Sequence, residues 1–142
     1  MCIRDRVYID DKYVYVANVG DSRAYYIWNG ELNQITSDHT VVNMLLQQGK
    51  IDRSQVFNHP KRNMLTKAVG VEKTVKPDFF RLKRIDNFKI ILCSDGLSGY
   101  CSDEEIYEVL QSSPLEEVSG KLIDLALSKG GRDNITLAVI TD

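Results

Sequence analysis

The sequence predicts an α+β fold in which antiparallel β-sheets are flanked by helices. Three observations carry that prediction. The opening third alternates with the period of two that belongs to strands. Helix-start signals and 3.6-residue periodicity gather in the last third. A final apolar run then returns as a strand, so strands and helices are grouped along the chain and do not alternate in the βαβ manner of a parallel sheet.

In chain order, Val7–Ile9 reads as a short strand turning at Asp10-Asp11. Tyr13–Asn18 follows, rich in β-branched and aromatic residues. Gly20-Asp21 breaks it, and Arg23–Trp28 resumes. Asn29-Gly30 supplies the two positive-φ positions of a type I′ hairpin, and Glu31–Ile35 returns. Residues 1–6 stay outside this pattern and read as a non-native or disordered leader. Thr40–Gln48 changes period, with Val41, Leu45 and Gln48 on one side and Gly49 where a helix C′ residue belongs. Residues 50–62 are polar, a mobile connection with one helical turn around Ser54–Asn58. Met64–Val69 and Val75–Leu82 read as strands, the second an edge strand because it carries Pro77. Phe88–Cys93 is a continuous apolar run, expected to be buried on both faces.

Two helices come next. Ser102 with Glu105 forms a capping box, and Ser113 with Glu116 forms another, with Pro114 at N1. Leu115, Val118, Leu122, Leu125 and Ala126 make the apolar stripe of the second helix, which Gly130-Gly131 stops. Ile135–Ile140 closes the chain as a strand.

Composition narrows the function classes. The 142 residues suit one domain, and 43% hydrophobic with 27% charged residues is ordinary for a globular protein. A net charge of −2 without a Lys/Arg block argues against a nucleic-acid partner. No apolar run approaches the roughly 20 residues that span a bilayer, so no membrane partner is expected. Three cysteines without a Cys-x-x-Cys motif fit neither a disulfide framework nor a zinc site, and point to a reducing, cytoplasmic setting.

The candidate chemistry lies in three aspartates at breaks after strands or a helix. Asp21 follows Gly20, Asp95 precedes Gly96, and Asp133 follows Gly130-Gly131. Carboxylates at strand ends are partly desolvated and call for a cation. Hard divalent ions take oxygen ligands, so carboxylates from separate loops suit a metal cluster. The competing reading is plain turn formation, which Asp-Gly and Asp-Asn also favour. Spacing alone leaves both open.

The wording of the segments goes further. Asn18-Val19-Gly20-Asp21-Ser22-Arg23, Ile91-Leu92-Cys93-Ser94-Asp95-Gly96-Leu97 and Gly131-Arg132-Asp133-Asn134-Ile135-Thr136 occur in that order, with Asp38-His39-Thr40 and His59-Pro60-Lys61-Arg62-Asn63 between. Together they resemble the metal-dependent serine/threonine protein phosphatases of the 2C type, in their bacterial form. The resemblance implies that residues 7–142 are the C-terminal portion of a single phosphatase domain, part of a four-layer α-β-β-α sandwich. It implies Mn²⁺ or Mg²⁺ as cofactor, two ions in a complete site and a third, weaker one. Asp95 and Asp133 correspond to ligands of the dinuclear pair, and Asp21 to the residue that holds the third ion with Asp95. Gly96, Asn134 and Ser94 support those loops, Asn134 by fixing the one that carries Asp133. His59, Arg62 and Asn63 fall in the family's flap, near substrate. No catalytic residue separate from the metal ligands is assigned. Lys67 stands where relatives often carry arginine.

The implied activity is hydrolysis of phosphoserine and phosphothreonine in proteins, with phosphorylated proteins and a bacterial serine/threonine kinase as partners. The family's Asp-Gly-x-Gly-Gly segment, an earlier acidic residue, a phosphate-binding arginine and a histidine after those glycines have no counterpart here. The chain therefore reads as a truncated copy of a longer gene, expected to bind metal weakly and to be inactive alone. The alternative is a non-catalytic 2C-like binding or regulatory module.

Overall fold

The computed structural model describes residues 4–142. Strands β1 (Arg4–Ile9), β2 (Tyr13–Val19) and β5 (Asp78–Lys83) form one antiparallel sheet in the order β1-β2-β5. Strands β3 (Arg23–Trp28), β4 (Glu31–Gln34), β6 (Lys89–Cys93) and β7 (Leu137–Thr141) form a second, in the order β4-β3-β6-β7. Helices α1 (Val41–Gln47) and α2 (Arg53–Val56) lie in the connection between the sheets, and α3 (Asp95–Ser98), α4 (Asp103–Ser112) and α5 (Leu115–Ser128) follow β6.

Side chains alternate across a strand, and that alternation builds two cores. From β3, Ala24 and Tyr26 enter the cluster between the sheets with Val14, Val16, Phe88 and Ile90. Tyr25 points the other way, into a second cluster with Ile91, Cys93, Leu97, Ile106, Leu110, Val118 and Leu122 beneath the helices. The layers therefore run sheet, sheet, helices, and Tyr8 and Phe79 of the first sheet stay largely exposed. β6 contributes to both cores, as its unbroken apolar run requires.

Local signals account for most boundaries. Asn29 and Gly30 both have positive φ between β3 and β4, as the hairpin demands. Thr40 caps α1 through the Asn43 N–H, and Gly49 follows the helix at φ +65°. Ser102 and Glu105 form the capping box of α4.

Five expectations need correction. β1 begins at Arg4, and the segment Arg4–Arg6 read as leader pairs with Val19, Asn18 and Ala17. Backbone pairing is indifferent to the charge of these side chains, and Asp5 accepts a 2.6 Å bond from Asn18. Met1–Ile3 lie outside the described residues. Val42, not the Val41–Leu45–Gln48 side, is the buried position of α1. Met64–Val69 is no strand: Leu65 and Val69 make isolated β-bridges, Leu65 to Thr40, and no ladder of consecutive pairs forms among the described residues. The strand expected over Val75–Leu82 starts at Asp78, past Pro77, and is an edge strand. The second capping box is not made. Pro114 itself takes the extended N-cap conformation (ψ 148°) of α5, while Ser113 ends α4.

Candidate functional site

Strand register delivers the three aspartates to one place. Arg23, the first residue of β3, faces Cys93, the last of β6, and Cys93 faces Leu137, the first of β7. Neighbouring strands lie about 4.8 Å apart. The residues just outside these ends, Asp21 before β3, Asp95 after β6 and Asp133 before β7, therefore emerge from the same end of the sheet. A cavity of about 280 Å³ opens there, and all three line it.

The loops that carry Asp95 and Asp133 are laced together. Ser94 Oγ donates to the Asn134 carbonyl at 2.9 Å and accepts from the Thr136 N–H at 3.0 Å. The Ser94 N–H donates to the Thr136 carbonyl at 2.9 Å. Gly96 is buried against the same loop, where a Cβ would meet the Asn134 carbonyl oxygen at 2.3 Å. Asn134 acts through its backbone, its N–H donating to Asp133 Oδ1 at 2.7 Å.

Asp21 sits in the β2–β3 turn after Gly20, whose φ of +118° suits glycine. It is 8% exposed, and its Oδ1 is buried with no hydrogen-bond partner among the described residues. Burial, then the charge of Asp95, pushes its pKa up to about 6. Burial and the charge of Asp133 raise Asp95 as well. Among the described residues none of the three forms an ion pair with a basic side chain.

Asp38 is a fourth carboxylate on this cavity, and sequence reasoning assigned it no role. The Arg23 guanidinium holds it, with Nη2 2.7 Å from Oδ2 and Nε 3.0 Å from Oδ1. Burial works to lower the pKa of Arg23, but its bonds to Asp38 outweigh that and keep it charged. The Asp38-His39-Thr40 segment was the available signal. Asp103 and Glu104, in the first turn of α4, line the cavity too.

The flap candidates divide. Arg62 and Asn63 line the cavity, and Arg62 Nη1 donates to the Phe57 carbonyl at 3.0 Å. His59 does not line it, and its Nδ1 accepts from the Lys61 N–H at 3.1 Å in a local turn. Lys67 is directed to Asp78, 2.7 Å away.

The donor set fits a hard divalent cation in part. An unpartnered buried carboxylate oxygen, with neighbouring carboxylates that Arg23 relieves only in part, is the environment such an ion would satisfy. Yet among the described residues no three His, Cys, Asp or Glu side chains are drawn together tightly enough to hold an ion themselves. Cys93 offers no alternative nucleophile, because burial pushes its thiol up to about 12.

Asp21 gives a pH prediction. Its folded pKa of about 6 lies above the ordinary 3.8, so the folded state holds the proton more tightly. The contribution of Asp21 to stability is then greatest at low pH and falls as pH rises through about 6. In chelator at pH 7, Asp21→Asn is expected to stabilise the chain by on the order of 2 kcal/mol, a gain that disappears near pH 4. Urea denaturation at both pH values measures it, and a loss of stability at pH 7 would contradict it.

Comparison with known proteins bears on the family and the fold. The family model for protein phosphatase 2C matches residues 2–45. The serine/threonine phosphatase stp of Listeria monocytogenes serotype 4b is 41% identical over 128 residues, covering 89% of this chain and 51% of that protein. The chain thus spans about half the length of that relative. The crystal structure of the serine/threonine phosphatase Stp1 from Staphylococcus aureus superposes with a TM-score of 0.87 at 41% identity, over 95% of this chain and 53% of that one. The catalytic domain of the serine/threonine phosphatase PstP, solved in complex with two manganese ions, gives 0.83 at 35% identity, over 96% and 56%. With its α+β architecture and this likeness over nearly its whole length, the chain matches serine/threonine phosphatases of the protein phosphatase 2C type.

Proposed function

We propose that the protein of which this chain is a part hydrolyses phosphoserine and phosphothreonine in proteins, using Mn²⁺ or Mg²⁺. Convergence of Asp21, Asp95 and Asp133 on one cavity, with the buried Asp21 Oδ1 unpartnered, is the observation that carries this reading. Asp95 and Asp133 would hold the ions of a dinuclear pair, and Asp21 with Asp95 a third. When bound, such ions lower the pKa of a water and orient it toward a phosphomonoester. Ser94 and Gly96 keep the two carboxylate-bearing loops in contact. Arg62 brings a guanidinium, well matched to phosphate oxygens, to the same cavity. The substrates are phosphorylated proteins, the opposing enzyme is a bacterial serine/threonine kinase, and the setting is cytoplasmic. No described helix is long and apolar enough to cross a membrane.

The donors in this chain make an incomplete coordination shell, so the chain itself is expected to bind Mn²⁺ weakly and to leave phosphopeptides intact. Calorimetric titration of the 142-residue chain tests this, with Asp95→Asn and Asp133→Asn as controls. Weak binding abolished in both controls supports the reading. Turnover by the wild-type chain would refute its inactivity. Identical heats in all three would leave the non-catalytic module as the better account.

A further inference from the structure

His39 makes two contacts with a single residue, Gly20. Its backbone N–H donates to the Gly20 carbonyl at 2.9 Å, and its ring Nδ1 accepts from the Gly20 N–H at 3.0 Å. A peptide N–H can only donate, so Nδ1 carries no proton and the neutral ring carries it on Nε2. Nε2 stands 3.0 Å from Asp78 Oδ2, and the other oxygen of that carboxylate takes Lys67 Nζ at 2.7 Å. These two partners, His39 first, hold Asp78 below the usual carboxylate range, so it is an acceptor at neutral pH. The imidazole is 8% exposed and buried at the base of the turn that carries Asp21.

The same histidine also bonds to the segment that follows Asn63. Its carbonyl accepts from the Thr66 N–H at 2.8 Å, and the Val41 N–H donates to the Met64 carbonyl at 2.8 Å. Residues 64–67 are the return from the connection that carries Arg62 and Asn63. Across the turn, Asn18 Nδ2 donates to the Ser22 carbonyl at 3.2 Å and to Asp5 at 2.6 Å. The turn is therefore held from both sides, and the His39 side bonds directly to the segment that follows Arg62 and Asn63.

We propose that His39 is a positioning residue. Fixed as its Nε2–H tautomer by Asp78 and Lys67, it clamps the Gly20–Asp21 turn and ties it to the base of the connection over residues 48–63. A shift of residues 64–67 then reaches Gly20 through one residue, His39. The value of the clamp for metal binding rests on the reading given under Proposed function, whereas the clamp itself does not.

The test uses nuclear magnetic resonance on the 142-residue chain. Long-range ¹⁵N–¹H spectra at pH 7 are expected to show His39 neutral and protonated on Nε2. Asp78→Leu is expected to accelerate exchange of the Gly20 amide at least tenfold, while the Ile91 amide of the central strand is unchanged. Asp78→Asn, whose amide oxygen still accepts from Nε2–H, should restore Gly20 protection. An Nδ1–H tautomer or an imidazolium in the wild type overturns the proposal without any variant. So does unchanged Gly20 exchange in Asp78→Leu, or equal acceleration at Ile91. Mn²⁺ should broaden the Asp21 amide in the wild type and do so less in Asp78→Leu. Absence of wild-type broadening, with tautomer and exchange as stated, overturns the metal reading alone.

Discussion

Gly96→Ala is expected to destabilise the chain by about 3 kcal/mol, the upper end of ordinary overpacking costs, and to weaken Mn²⁺ binding at least tenfold. The reason is space and not backbone conformation. An added Cβ would lie 2.3 Å from the Asn134 carbonyl oxygen, 2.8 Å from its carbon and 3.3 Å from the Ile135 Cα. All three are main-chain atoms, with no flexible side chain to yield. The loops are already pinned by Ser94, so relief requires parting the segment of Asp95 from the segment of Asp133. Gly120→Ala is the control. Its Cβ meets nothing within 4 Å in the exposed middle of α5, and alanine there should stabilise by roughly 1 kcal/mol. Urea denaturation of both variants, followed by Mn²⁺ titration, gives the answer. A neutral Gly96→Ala would mean that the two loops separate freely, and the argument for a shared site would weaken with it.

What the sequence made legible follows the range over which each determinant acts. Asn29-Gly30, the Ser102–Glu105 box and Gly49 after the first helix depend on residues at most a few positions apart, and each formed where it was read. The two-faced burial of Phe88–Cys93 was legible because an apolar run has few other solutions. Met64–Val69 has strand-like composition but makes only isolated bridges among the described residues, and pairing partners are not written locally. Arg4–Arg6 failed for the converse reason: unpromising side chains pair because β2 offers an edge. Pro114 shows two local rules in competition, since its fixed φ serves N-cap as readily as N1.

The site divides along the same line. Asp21, Asp95 and Asp133 were each marked by the wording of a short segment, and the register of β3, β6 and β7 supplies their convergence. Asp38 and Arg23 were visible as letters, but their pairing spans 15 residues and a hairpin, so nothing local announced it. His39 lay in a recognised segment, yet its partners Gly20 and Asp78 are 19 and 39 residues away. Residues that make a site were readable one at a time. The contacts that aim them were not.

Arg23→Met should expose how much that hidden pairing matters, at a cost of about 3–5 kcal/mol in the metal-free chain. The Asp38 side chain is only 15% exposed and Arg23 is 23% exposed, so water screens the pair weakly. Removing the guanidinium strands a carboxylate beside Asp21 and Asp95, both already raised by burial and by neighbouring negative charge. Arg23 also donates to the Tyr25 hydroxyl at 3.1 Å, so a buried acceptor loses its partner. Divalent cation should recover part of the loss, because an ion held among these carboxylates at a hundredfold excess over its Kd contributes about 2.7 kcal/mol. Arg23→Met combined with Asp38→Leu removes both charges and should lie closer to the wild type than Arg23→Met alone, as replacements of buried pairs by apolar residues commonly do. Urea denaturation of the two single variants and the double, with and without Mn²⁺, completes the cycle and isolates the coupling. If the double variant is no better than Arg23→Met, the stranded charge is not the cause, and the lost bond to Tyr25 becomes the dominant cost.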